Sequence, residues 1–183
     1  RGASNSLLLN LLGSQDATPL TVGDWLKKVE RMFRNAHLSY GHGTRTAQDD
    51  AAWLMCSILN IKFGVLNEHL ERKCSAREST RILDAARKRV DTRAPLAYIL
   101  GEAWLGGYRF LLDSRAIVPR SFLAEIILEQ AYPWIQAPEK VTRILDLCTG
   151  SGCLAILAGK AFPNAKIDAV DISKAALHVA DKN

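Results

Sequence analysis

Ile144-Leu145-Asp146-Leu147-Cys148-Thr149-Gly150-Ser151-Gly152-Cys153-Leu154-Ala155 reads as strand, loop and helix: a short apolar run ending near an acid, a turn holding two glycines, then a helix-forming stretch. Glycine suits such a turn because, without a Cβ, it takes φ > 0 and lets a ligand approach bare backbone N–H groups at the start of the next helix. This is a nucleotide-type arrangement. The spacing Gly150-x-Gly152-x-x-Ala155 also satisfies the dinucleotide fingerprint, so the glycines alone leave two cofactor classes open.

The acids on either side narrow the choice. Asp146, four residues before Gly150, would oppose a pyrophosphate with like charge but suits a ligand carrying an ammonium and a sulfonium, as S-adenosylmethionine does. The next strand candidate, Lys166 to Val170, leads into Asp171, which lies about 20 residues past the glycines, where an acid can hold ribose hydroxyls. Asp171 fits either cofactor. A lone G-x-G is as readily an ordinary turn; with both acids the stretch favours a nucleoside cofactor.

With Ala169-Val170-Asp171, the opening stretch resembles the first two motifs of class I S-adenosylmethionine methyltransferases. Arg93-Ala94-Pro95-Leu96-Ala97-Tyr98-Ile99-Leu100-Gly101-Glu102 and Val118-Pro119-Arg120-Ser121 resemble the HemK-like glutamine methyltransferases. Release-factor enzymes of that family usually carry a second proline and an acid-Thr-Glu run after Pro-Arg. Here Ser121-Phe122-Leu123-Ala124-Glu125 follows, and Tyr40-Gly41-His42-Gly43-Thr44 lies upstream. Both features resemble the branch that methylates large-subunit ribosomal protein three, although Phe122 stands where that branch usually has proline.

The resemblance implies methylation of a glutamine side-chain amide in that ribosomal protein, with a release factor as the alternative substrate. It implies that Asp146, Cys148, Thr149, Gly150, Ser151, Gly152 and Asp171 hold S-adenosylmethionine and that Pro119, Arg120 and Glu125 shape the pocket. Arg120 could instead form a surface ion pair. A glutamine amide nitrogen is a poor nucleophile because its lone pair is delocalised into the carbonyl. The family meets this with an Asn-Pro-Pro-Tyr motif that orients the nitrogen toward the methyl group, a use of placement and fixed dipoles. That motif is absent from these 183 residues, so no catalytic residue is assigned, and the chain by itself is expected to be inactive.

Composition agrees with a packed protein: 183 residues at 48% hydrophobic content suffice for one large domain or two small ones. The longest apolar run, around Leu7 to Leu12, is well short of the roughly 18 residues of a membrane span, and a cytoplasmic location with no membrane partner is expected. The chain opens at Arg1 without methionine, and residues to Gln15 carry no functional argument. Cys56, Cys74, Cys148 and Cys153 form no C-x-x-C pair and have no companion histidine spacing, which argues against a metal site or a disulfide framework. Reduced thiols are the plain reading, and Cys148 and Cys153 read as small side chains flanking the loop.

The net charge is +5, and the segment Glu71 to Arg93 supplies most of it, with eight basic residues against four acids. A basic helix over 75–90 could meet RNA phosphates, or could simply be a solvated face. A reading outside enzymology, a non-catalytic RNA-binding or scaffold module, rests on that helix. A nicotinamide dehydrogenase is the other rival, disfavoured by Asp146.

Taken in order, residues 1–20 are expected to be a flexible segment and 21–100 a helical substrate-recognition domain. Thr21 caps a helix whose Val22, Trp25, Leu26, Val29, Met32, Phe33 and Ala36 share one face. Thr46 caps a second, with Ala51, Leu54, Met55, Ile58 and Leu59, after the turn at Tyr40 to Gly43. Ser75 with Glu78 opens a third, with Ile82, Ala86 and Val90. His42 reads as a brace of the glycine turn or a substrate contact; His37, His69 and His178 receive no chemistry. Leu96 to Leu100 form a short helix stopped by Gly101. Residues 101–118 form a β-hairpin linker turning at Gly106-Gly107.

Residues 119–183 are the first part of the methyltransferase domain. They open with a helix capped by Ser121 and running to Pro133, followed by a βαβα run whose last helix Ser173 caps. The expected fold class is α/β, with a helical domain, a hairpin and the truncated start of a Rossmann-like sheet. Two parallel strands alone would leave an open edge and uncovered apolar faces. The expectation is therefore a truncated piece, prone to aggregate or pair, or a longer protein whose remainder is not in this sequence.

Overall fold

A computed structural model describes residues 19–183. The flexible segment expected over 1–20 lies, up to residue 18, outside the described residues. Three capped helices build the first domain: α1 (Val22–Asn35), α2 (Ala47–Leu59) and α3 (Ala76–Thr92). Each opens with a complete capping box, Thr21 with Asp24, Thr46 with Asp49 and Ser75 with Glu78; the sequence indicated the last as a box and the two threonines as caps alone. In each, the hydroxyl accepts from the third helical N–H while the acid returns a bond to the cap N–H. Two of the donors left unpaired at a helix start are thereby satisfied.

Val22, Trp25, Val29 and Phe33 of α1 are buried against Ala51, Leu54, Met55 and Ile58 of α2 and Ile82 and Ala86 of α3. Helix α2 is the central one. Trp53, Cys56 and Asp50 are buried as well, so its apolar surface extends beyond the single stripe read from the sequence. The Asp50 carboxylate pairs with Arg89 of α3, at 3.0 Å from Nε, and accepts from the Thr44 hydroxyl at 2.5 Å. Arg89 also donates to the carbonyls of Ser39, Arg93 and Ala94.

This corrects the reading of the basic helix. Arg89 is a core residue, Arg93 spends its guanidinium on the Ala36 and His37 carbonyls, and Arg72 pairs with Glu78. The cations left exposed on α3 are Arg77, Arg81, Arg87 and Lys88.

A short helix, α4 (Leu96–Leu100), ends at Gly101 in the left-handed region and leads into the hairpin of β1 (Glu102–Leu105) and β2 (Tyr108–Leu111). Gly106 and Gly107 have φ of +57° and +80°, as a two-residue turn matching the strand twist requires. A Cβ on Gly106 would stand 2.7 Å from Leu128 Cδ1, so any larger residue there would also have to displace that side chain. The hairpin does more than link. Phe110 is buried with Ala124, Cys153 and Leu157, and Leu105 packs on the same cluster.

Helix α5 (Leu123–Leu128) is shorter than expected. Ser121 Oγ accepts from Leu123 N–H, but the helix stops five residues before Pro133 because Gln130 and Ala131 both take φ of +56°. Ala124, rather than Leu123, is its fully buried residue. The βαβα run follows as expected: β3 (Arg143–Leu147), α6 (Cys153–Ala161), β4 (Lys166–Val170) and α7 (Lys174–Ala180).

Strands β3 and β4 pair in parallel, with Leu147 opposite Val170, so the chain segments that leave them, at Cys148 and Asp171, emerge side by side. That register sets the site. Helix α6 covers one face of the pair, while Leu145, Leu147 and Val170 remain exposed. Ala176 and Val179 of α7 join the large core of the helical domain through Leu112, Ala116 and Val118.

Candidate functional site

The loop between β3 and α6 is held in an unusual backbone shape by bonds to its own neighbours. Cys148, Gly150 and Gly152 take φ of +64°, +58° and +78°. For cysteine this region costs about 1–2 kcal/mol, and nothing in its side chain marked it beforehand. Gly152 is constrained twice, since a Cβ there would meet Ala180 Cβ at 3.0 Å; at Gly150 a Cβ would meet nothing within 4 Å. Gly150 therefore borders open space, into which a ligand could come against bare backbone.

Two carboxylates are tied into this loop. Asp171 Oδ2 accepts the Gly150 N–H at 2.8 Å, and its Oδ1 accepts the Ser173 N–H at 2.8 Å. Those bonds, the one from Ser173 first, hold its carboxyl below the usual carboxylate range. Asp146 Oδ2 accepts the Thr149 hydroxyl at 2.5 Å. The Thr149 N–H donates to the Val170 carbonyl and the Gly152 N–H to the Thr149 carbonyl. The loop thus spends N–H groups on itself and carries negative charge, whereas a pyrophosphate cradle needs free donors facing an anion.

A cleft of about 500 Å³ opens beside the loop. One wall comprises Cys148, Thr149, Gly150, Ser151, Asp171 and Ser173; the opposite wall is Arg115 to Ser121, with Leu105 of the hairpin at the boundary. Of the residues singled out from the sequence, Cys148, Thr149, Gly150, Ser151, Asp171, Pro119 and Arg120 come together here. Asp146 stands behind Thr149, and Gly152 forms the base of α6; neither lines the cleft. Glu125 is exposed on α5, also away from the lining. Among the described residues Arg120 forms no ion pair; its Nη1 donates to the Gly41 carbonyl at 3.3 Å, so it reaches from the cleft to the glycine turn of the helical domain.

Sequence reasoning missed the Arg115 to Val118 wall and Ser173. Ser173 had a signal in the spacing Asp171-x-Ser173, which lets an aspartate bond its own backbone two residues on. Arg115 is tied to Asp113 by bonds from its N–H, Nε and Nη2. The Arg115 side chain and backbone hold the Asp113 carboxyl down to about 2, so this pair adds little net charge to the cleft. Cys153 is buried beside Ser151 Oγ, and burial pushes its thiol up, which suits packing rather than nucleophilic work. Among the described residues no group of three His, Cys, Asp or Glu side chains converges as metal ligands, and no helix is long and apolar enough to cross a membrane.

Comparison with known proteins bears on the same two regions. The family model described as PrmC N-terminal domain matches residues 24–101, and that described as methyltransferase small domain matches residues 132–183. The ribosomal protein uL3 glutamine methyltransferase of Bordetella pertussis is 45% identical over 163 residues, covering 89% of this chain and 55% of that protein. The protein of the same name from Burkholderia pseudomallei is 43% identical, covering 89% and 53%. That of Neisseria meningitidis serogroup A is 40% identical over 177 residues, covering 96% and 58%. The chain spans about half the length of these curated relatives. A match to the PrmC N-terminal domain thus leads into one to the methyltransferase small domain, in the order that the motifs implied, and over most of its length the chain is similar to the N-terminal half of protein-glutamine methyltransferases.

Proposed function

We propose that the whole protein is a methyltransferase that uses S-adenosylmethionine to methylate a glutamine side-chain amide of ribosomal protein uL3, the activity its relatives are named for. The observation that carries the cofactor choice is the pair of carboxylates bonded into the glycine loop, Asp171 on the Gly150 N–H and Asp146 on the Thr149 hydroxyl. Such a loop favours a cationic ligand over a pyrophosphate. The cleft beside Gly150 gives that ligand room, and its largely apolar opposite wall, with Ala116, Ile117, Val118 and Pro119, suits a nucleoside ring.

When bound, S-adenosylmethionine supplies an electrophilic methyl group on a sulfonium. In this reading Asp171 holds ribose hydroxyls, and Cys148 to Gly152 give the backbone wall. Asp146 acts at one remove by fixing Thr149 and adding negative charge beside the loop. Pro119 and Arg120 shape the opposite side; Glu125 would act only through the placement of α5. Residues 21–100 serve as the substrate-recognition domain, 101–118 as the hairpin that joins it to the rest, and 119–183 as the first part of the methyltransferase domain. The protein works in the cytoplasm, where its ribosomal substrate is made.

The test is a labelling assay with radiolabelled cofactor and the whole protein, offered unmethylated uL3 and, separately, a release factor. Label is expected on uL3; label on the release factor alone would move the protein to the other branch. The exposed Arg77, Arg81, Arg87 and Lys88 also give α3 a basic face that can meet RNA phosphates of a ribosome-linked substrate. RNA affinity should then fall steeply with added salt, with a log–log slope of about −2 to −3 for three or four contacts on single strands. A flat salt response would leave that face merely solvated.

A further inference from the structure

Asn183 follows α7 and belongs to no motif read from the sequence, yet its carboxamide bonds to two separate parts of the structure. Oδ1 accepts the Leu111 N–H at 2.6 Å; Nδ2 donates to the Leu111 carbonyl at 3.1 Å and to the Ser151 carbonyl at 2.9 Å. The first two bonds have a structural reason. In a hairpin closed by a two-residue turn at the Leu105 and Tyr108 pair, hydrogen-bonded and non-hydrogen-bonded pairs alternate. Leu111, opposite Glu102, falls on a non-hydrogen-bonded position, so its N–H and C=O face away from β1. Asn183 supplies the partner that a neighbouring strand would have given.

The third bond reaches the glycine loop. Ser151 lies between Gly150 and Gly152, both without the Cβ that would restrict their backbone, and a bond to its carbonyl fixes the peptide plane between Ser151 and Gly152. The other end of the clamp is anchored too. Glu102, paired with Leu111, is buried, accepts the Trp53 indole N–H at 3.2 Å and pairs with Arg109 Nε at 2.6 Å. Trp53 belongs to α2 of the helical domain, so the hairpin is held there as well.

We infer that Asn183 is a positioning residue for the proposed cofactor site: its carboxamide clamps the glycine loop to a hairpin anchored on the helical domain, fixing the shape the loop presents to the cleft. The role in cofactor binding rests on the cofactor reading above; the clamp itself does not. Amide hydrogen exchange on the chain, with Asn183→Ala and Asn183→Asp, tests the clamp without ligand. In Asn183→Ala the Leu111 amide should exchange at least about tenfold faster, as loss of one such bond allows, and the amides of Thr149 to Gly152 should speed up with it. Asn183→Asp still offers an acceptor to Leu111 but no donor to Ser151, so loop amides should speed up while Leu111 stays protected.

Core amides of α1 to α3 should be unchanged in both variants. Unchanged Leu111 and loop exchange in Asn183→Ala, or a loss of protection spread equally through α1 to α3, would overturn the clamp. Calorimetry of the whole protein with S-adenosylmethionine then separates the two proposals. Affinity is expected to fall about tenfold in Asn183→Ala. Equal affinity in the variant and the unsubstituted whole protein would refute the positioning role. No binding by the unsubstituted whole protein, with the exchange changes present, would count against the cofactor reading and leave the clamp standing.

Discussion

Replacing Asp50 by alanine is expected to destabilise the chain by about 3–5 kcal/mol, the usual consequence of stranding one member of a buried ion pair. The Asp50 and Arg89 side chains are only 2% and 3% exposed. Without Asp50, the Arg89 guanidinium keeps its three carbonyl partners, at Ser39, Arg93 and Ala94, but has no counter-charge. Thr44 loses its acceptor at the same time, and the turn from Tyr40 to Thr44 loses its tie to α2. That turn carries the Gly41 carbonyl to which Arg120 of the cleft is bonded, so the damage should extend from the helical core to the cleft wall. Denaturant unfolding followed by tryptophan fluorescence measures it as a lower midpoint. Arg77→Ala, on the exposed face of the same helix α3, should change stability by no more than about 0.5 kcal/mol. Replacing both partners with apolar residues, as Asp50→Leu with Arg89→Met, should recover much of the loss. If Asp50→Ala unfolds at the same midpoint as Arg77→Ala, the pair contributes nothing of the kind.

The contrast between Arg89 and Arg77 marks where sequence reading stops. Helix caps are local, and all three cap residues, Thr21, Thr46 and Ser75, were legible in advance, the last with its acid Glu78. So were the glycine turn of the hairpin and the strand, loop and helix around Gly150, since each depends on a few adjacent residues with special backbone freedom. Arg89 looked like its basic neighbours because burial of a cation depends on a partner 39 residues earlier, on another helix. The partners of Glu102, Arg120 and Asn183 were opaque for the same reason: each side chain bonds to a segment distant in sequence, two of them to backbone groups, which carry no sequence signature. The end of α5 at Leu128 was missed because Gln130 and Ala131 are ordinary residues in a left-handed conformation that their types do not signal. Glu125 entered the expected pocket through resemblance alone, and its place on α5 is outside the cleft lining.

In the whole protein, Asp171→Ala is expected to weaken S-adenosylmethionine binding on the order of a hundredfold, the loss of one or two charge-assisted hydrogen bonds to the ligand. The same change frees the Gly150 and Ser173 N–H groups, so the loop should loosen even without ligand. Asp171→Asn separates the two effects: its single carbonyl can still accept one of those N–H groups, but the charge is gone. If charge dominates, Asn should bind nearly as poorly as Ala; if loop shape dominates, Asn should bind closer to the original chain.

The pH dependence follows with a definite sign. The folded-state pKa of Asp171 is lowered, so the stability it contributes is fully present above the ordinary carboxylate range near 4. It is lost only as the pH falls through the depressed folded value. Cofactor affinity should therefore stay level from neutral pH down to about 4 as far as this group governs it, and fall only as the pH drops further, through the depressed folded value, in the original protein but not in Asp171→Asn. Calorimetry across that range reads both. An Asp171→Ala protein that binds as tightly as the original would remove the acid from the site and, with it, the main reason for preferring a cationic ligand at this loop.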